Sequence, residues 1–157
     1  MTALFLLLML MSGCVGRPDQ EVRRHIIYYV KRASEPEKLA CLDLKKDLVK
    51  VTGAEVLVEQ EPQKINGDAY HYLVGTPESG DLINTLSTSG KILLNGDSPG
   101  PQGGVIRSVK LNKTQRALVL GGSDFRGAQY AVYDFSKNEL GVDPCYYWTG
   151  YQPLKNP

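Results

Sequence analysis

An apolar run from Ala117 to Leu120 ends in Gly121-Gly122-Ser123-Asp124-Phe125-Arg126-Gly127, a strand-to-helix turn whose amides could approach an anion. As a nucleotide site it lacks the parts. There is no Gly-Lys-Ser/Thr ending and no Gly-x-Gly-x-x-Gly, and Asp124 sets a negative charge where phosphate would lie. The sequence predicts instead that Ser123 or Asp124 caps the helix that follows, with Arg126 paired to a carboxylate or carbonyl and Gly127 closing the motif. Ser123 as a nucleophile would need a neighbouring base, and only His25 and His71 are available, with no elbow motif around the serine.

Paired carboxylates are the chemistry of glycoside cleavage, but nothing in the chain selects a pair. Asp43 and Asp47, one helical turn apart, read as a solvated polar face. His71 alternates with Tyr70 and Tyr72 and reads as a packed or surface histidine. His25 and His71 stand far apart in the sequence and neither has a second ligand near it there, so the residues imply no metal and no cofactor. The aromatic residues are distributed unevenly. Phe125, Tyr130, Tyr133, Phe135, Tyr146, Tyr147, Trp148 and Tyr151 all lie from Phe125 onward. Rings with polar tips suit a domain interface or a sugar platform as well as they suit a core, so these three readings stay open.

Stepwise periodicity supplies the elements that would hold such residues. His25 to Val30 is β-branched and aromatic and predicts a strand. Ser34 is a candidate N-cap with Pro36 in the first turn, and Cys41, Leu44, Leu48 and Val51 then make one helical face that Gly53 ends. Glu55 to Glu59 and Ala69 to Val74 alternate as strands, and a short helix is expected from about Ser79 to Leu86. The Gly- and Pro-rich stretch from Gly90 to Gly104 predicts no element. Val105 to Leu111 and Ala117 to Leu120 predict a hairpin turning at Asn112 to Gln115. A last helix carries Ala128, Ala131, Val132 and Phe135 inward, and Gly141 and Pro144 stop it. This order predicts an α+β fold: a mixed sheet of about four or five strands with two main helices and one short helix.

The chain has 157 residues, enough for one core, with 42% apolar and 22% charged residues. Its formal charge of +1 provides no field for nucleic acid, which is excluded as a partner. Ala3 to Met11 is an unbroken apolar run, too short to span a bilayer and of the length of a signal-peptide core. Residues 1–13 are therefore expected to be a signal peptide and 14–23 a tether. Met11-Ser12-Gly13-Cys14 resembles the bacterial lipobox, which implies a lipid on Cys14, membrane attachment through it, and a periplasmic or cell-surface location. Cys41, on the apolar stripe of its helix, and Cys145 are expected to be unbridged.

Residues Ala117 to Gly127, continuing through Tyr130, Tyr133-Asp134 and Leu140-Gly141-Val142-Asp143-Pro144 to Tyr146-Tyr147-Trp148, resemble the end of the N-terminal domain of glycoside hydrolase family 115, the xylan α-glucuronidases. Val51-Thr52-Gly53 and Leu73-Val74-Gly75-Thr76 fit the preceding elements, so the likeness covers roughly residues 24 to 153. It implies a fold like the N-terminal domains of β-N-acetylhexosaminidases and of other α-glucuronidases. Residues 24–144 would then be a non-catalytic accessory domain, and 145–157 the start of a linker to a catalytic barrel that this chain lacks. That barrel would be the principal partner and carry the acid, base and main sugar contacts, in an enzyme of plant xylan degradation. Tyr146, Tyr147 and Trp148 are the residues the resemblance places nearest substrate, although Cys145 stands where the family often has an aromatic. The alternative is a stand-alone surface lipoprotein that binds polysaccharide or a protein through Tyr146, Tyr147, Trp148 and Tyr151.

Overall fold

A computed structural model describes residues 24–143, 145 and 146. Five strands and three helices alternate along it: β1 (His25–Tyr29), α1 (Glu35–Thr52), β2 (Val56–Gln60), β3 (Tyr70–Gly75), α2 (Asp81–Thr88), β4 (Gly104–Lys110), β5 (Arg116–Gly122) and α3 (Phe125–Asn138). The strands form one sheet in the order β2-β1-β3-β5-β4. β2, β1, β3 and β5 run parallel, and β4 pairs antiparallel with β5 through the expected hairpin. The fold is α+β with a mixed sheet, as the order of elements predicts.

Alternation along the strands decides which face each residue serves. Ile27, Tyr72, Val74 and Leu120 point to one face and pack with Ala40, Cys41, Leu44 and Leu48 of α1 and Ala131, Val132 and Phe135 of α3. Their neighbours Tyr28, Leu73, Ala117 and Val119 point to the other face, where Ile83 and Leu86 of α2 cover them. Ile92 and Leu94 complete this second core at 2% and 0% exposure. They come from the segment in which no element was expected, so that segment is a loop that nevertheless contributes two core side chains.

The helix boundaries follow from their caps. Glu37, the third residue of α1, reaches back so that its Oε2 accepts from the Ser34 backbone N–H and hydroxyl, both at 2.7 Å. Gly53, at φ 68°, ends the helix with its N–H donating to the Val49 carbonyl, the left-handed step that glycine adopts without a Cβ penalty. α2 begins two residues later than expected, because Thr76 to Ser79 forms a compact turn in which the Thr76 and Ser79 hydroxyls bond each other at 2.8 Å. In the β4–β5 turn the Asn112 side-chain oxygen accepts from the Thr114 and Gln115 N–H groups at 3.0 and 2.9 Å. Among the described residues no helix is long and apolar enough to cross a membrane.

Candidate functional site

An open parallel sheet binds ligands outside the carboxyl ends of its strands, where successive connections leave in opposite directions. Here that point lies between β1, whose connection runs out to β2, and β3, whose connection runs toward β5. The crevice is filled by the chain itself. Val30 wedges in so tightly that a Cβ on Gly75 or Gly80 would come within 2.4 and 2.3 Å of its methyl groups. The Glu61 carboxylate takes the N-terminus of α2, accepting from the backbone N–H groups of Asp81 at 2.8 Å, Leu82 at 3.2 Å and Lys31 at 3.0 Å. Beside it Glu37, 2% exposed, also accepts from the Ser79 hydroxyl at 3.2 Å. The anion positions of this crevice are thus occupied by two of the protein's own carboxylates.

The glycine-rich turn between β5 and α3 is filled in the same way. Asp124 caps α3, its Oδ1 accepting from the Gly127 N–H and its Oδ2 from the Gln102 N–H, both at 2.8 Å. These backbone bonds, that to Gly127 foremost, hold its pKa below the usual carboxylate range, with the charge of Arg126 adding to them. The glycines permit close approach. A Cβ on Gly127 would stand 2.2 Å from the Gly103 carbonyl, and one on Gly122 would stand 1.9 Å from the Ala128 nitrogen. The Ser123 N–H donates to the Gly103 carbonyl at 2.9 Å, while its buried hydroxyl has no partner among the described residues and takes no part in capping. The Arg126 guanidinium lies 5.8 Å from the centroid of the Phe125 ring.

Both histidines are packed. His25 Nδ1 and the Tyr72 hydroxyl bond at 2.9 Å, and burial lowers the His25 pKa. His71 lies 3.4 Å through Nδ1 from the Tyr28 hydroxyl and 3.3 Å through Nε2 from the Gly67 carbonyl. Among the described residues no three His, Cys, Asp or Glu side chains gather as metal ligands.

The arrangement that sequence reasoning missed lies between α1 and α3. Asp47, expected on a solvated face, is 8% exposed, because α3 packs alongside α1 and covers that flank. Desolvation raises its pKa, while the nearby Ser136 hydroxyl and the charges of Lys50 and Lys46 work against the rise. Ser136 is itself 4% exposed, and although its hydroxyl is close enough to Asp47 to favour the charged form, it completes no well-formed hydrogen bond among the described residues. Asp43 is met by Lys46 at 3.0 Å and by the Tyr133 hydroxyl, which donates to it at 3.4 Å while accepting from the Gln129 amide at 3.1 Å. With Val142 and Tyr146 these groups line a groove of about 290 Å³. The Lys50 ammonium lies 3.9 Å from the centre of the half-buried Tyr146 ring. Asp43 and Asp47 differ by four helical positions, so they stand side by side on one wall. That is not the arrangement of two carboxyls flanking a scissile bond.

Tyr130 at 47% and Ile106 of β4 at 41% are large apolar residues in solvent that share one surface beside β4, the last strand in the sheet order among the described residues, and Phe125 at the start of α3 is 43% exposed. Tyr146 is the member of the C-terminal aromatic cluster within the described residues; Tyr147, Trp148 and Tyr151, like Cys14, lie outside them.

No protein-family model and no curated protein matches the chain. Among solved structures, a family GH115 4-O-methyl-α-glucuronidase with specificity for decorated arabinogalactans is similar, with a TM-score of 0.65 and 22% identity over 85% of this chain. The chain spans only 16% of that enzyme's chain. The match to that family is partial and distant, and at this identity the likeness is one of fold.

Proposed function

We propose that this chain is the non-catalytic accessory domain of an α-glucuronidase-type glycoside hydrolase, packing on a catalytic domain carried by other polypeptide. The observation that carries this reading is the proportion of the match: nearly all of this fold corresponds to about one sixth of a much longer glucuronidase. The filled crevice and filled glycine turn support it, since the places where such a sheet would hold a ligand are closed by Val30, Glu37, Glu61 and Asp124. The surface shared by Tyr130 and Ile106 is the face we assign to the catalytic domain, because large exposed apolar side chains beside the last strand of the sheet call for a cover. Tyr146, Tyr147 and Trp148 would lead from this domain toward substrate. The substrate is a glucuronic acid-bearing plant polysaccharide, either xylan or the decorated arabinogalactans on which the similar enzyme acts.

Purified full-length chain should release no glucuronic acid from decorated xylan or arabinogalactan. The reading frame beyond codon 157 should encode a barrel of about 250 residues or more of alternating strand and helix. Release of glucuronic acid by this chain alone would overturn the accessory role, and a frame that encodes no such domain would remove its partner.

We further propose export, with residues 1–13 as the signal and Cys14 as the lipid-bearing residue. The mature protein should then carry a diacylglyceryl mass on Cys14 and sediment with membranes, and Cys14→Ser should abolish both properties. An unmodified Cys14 in membrane-free protein rules the anchor out.

A further inference from the structure

We propose that the groove between α1 and α3 is a binding site for a neutral pyranose, one uncharged sugar ring held by Asp43, Asp47, Tyr133 and Ser136. This goes beyond the accessory role, since a scaffold needs no ligand, and its test does not involve the catalytic partner. Three observations converge on the groove. Its volume of about 290 Å³ falls just under the roughly 300 Å³ at which small-molecule sites usually begin, and so fits one ring rather than an oligomer. Ser136 is 4% exposed and lines the groove, and its hydroxyl, shut off from solvent, completes no well-formed bond among the described residues. A buried hydroxyl left in that state costs free energy that a ligand hydroxyl would recover once the serine side chain turns into the groove. Asp47 is a carboxylate at 8% exposure in the same wall, with acceptor capacity facing the same space.

Charge chooses the class of ligand. Lys46 pairs with Asp43 at 3.0 Å, and Lys46 and Lys50 both act on Asp47. An organic cation would have to compete with those ammonium groups, and a uronate would meet two carboxylates. A neutral polyol meets neither obstacle. Its hydroxyls donate to Asp43 and Asp47 and exchange hydrogen bonds with Tyr133 and Ser136, while Val142 and Tyr146 offer apolar surface to its C–H groups.

The test is a titration of the ¹⁵N-labelled full-length chain, followed by amide shifts. The probes are methyl β-D-xylopyranoside, methyl β-D-galactopyranoside and methyl α-L-arabinopyranoside, with glucuronate and spermidine as charged comparisons. At least one neutral glycoside should give saturable shifts confined to the α1 and α3 residues of the groove, at concentrations where glucuronate and spermidine leave them unmoved. Asp47→Asn and Tyr133→Phe should each weaken that binding about tenfold, the loss of one good polar contact, with the rest of the spectrum unchanged. Tyr133 is 37% exposed and loses only its hydroxyl, so its variant decides the matter if Asp47→Asn fails to fold. Unsaturable or scattered shifts with all three glycosides, binding of glucuronate or spermidine as tight as that of the glycoside, or wild-type affinity in Tyr133→Phe would each overturn the proposal.

Discussion

The Glu61 carboxylate accepts a hydrogen bond from the backbone N–H of Asp81 at 2.8 Å, so the residue that follows β2 closes the first turn of α2, twenty positions further along. The same carboxylate takes the Leu82 and Lys31 N–H groups and thereby ties together the exits of β1 and β2 and the start of α2. Removing it leaves three amides to water. Glu61→Ala should therefore lower stability by about 1–2 kcal/mol, the scale of a lost cap, and Glu61→Gln by less because an acceptor remains. Urea unfolding should show a lower midpoint with an unchanged slope. A midpoint equal to that of wild type would mean that filling this crevice contributes nothing to the fold.

The glycine-rich turn predicts a contrast between two glycines. At Gly127 an added methyl would collide with the Gly103 carbonyl carbon and oxygen, which are backbone atoms and cannot rotate away. Gly127→Ala should cost about 1–3 kcal/mol through overpacking, despite the better helix propensity of alanine. At Gly96 a Cβ would meet nothing within 4 Å, and the backbone is not left-handed. Gly96→Ala should stay within about 0.5 kcal/mol of wild type in thermal or urea unfolding. Equal effects at the two sites would show that the loop bearing Gly103 moves aside.

What was readable in the sequence and what was not separates along sequence distance. The α1 boundaries are written locally, in Ser34, Glu37 and Gly53, and the strands in their alternation, so both follow from neighbouring residues. The sheet's mixed character follows from Asn112 to Gln115, too short a link for a parallel crossover. Ile92 and Leu94 lie in a segment with no period to mark them as core. Asp47 was misread because its four-residue spacing from Asp43 describes α1 in isolation, whereas α3, some ninety residues later, decides its burial. The same holds for Glu61, whose three donors lie twenty to thirty positions away and leave no local signature. The groove is thus a product of helix packing, and no motif announces it.

His25 gives the stability a definite pH dependence. Burial beside Tyr72 lowers its folded pKa below 6.5, so the unfolded chain binds the proton more readily. Its contribution is fully present above pH 6.5 and is lost as pH falls from there through the lowered folded value. Asp47, whose folded pKa is raised above 3.8, slopes the opposite way over its own window and is common to both proteins in a comparison. The measurement is the urea midpoint between pH 7.5 and 5 for wild type and His25→Gln. Wild type should lose more stability than the variant over that range, and parallel curves would show that His25 titrates as it does in the unfolded chain.

Cys41 lies at 0% exposure against Ala40, Leu44 and the β1 and β3 side chains of its core, and desolvation first, with the Glu37 charge second, pushes its thiol up to about 12. The thiolate is the reactive species, so both access and ionisation are denied at neutral pH. Iodoacetamide at pH 8 should leave Cys41 unmodified in the native protein for as long as the fold holds and alkylate it promptly in urea, which peptide mass mapping would follow residue by residue. Because reaction then requires opening of the core, the native alkylation rate should rise in Glu61→Ala and Gly127→Ala if those substitutions promote the global opening that exposes Cys41. Native labelling at the rate of an unfolded thiol would place Cys41 outside the α1 core and would remove the packing on which the α1–α3 groove depends.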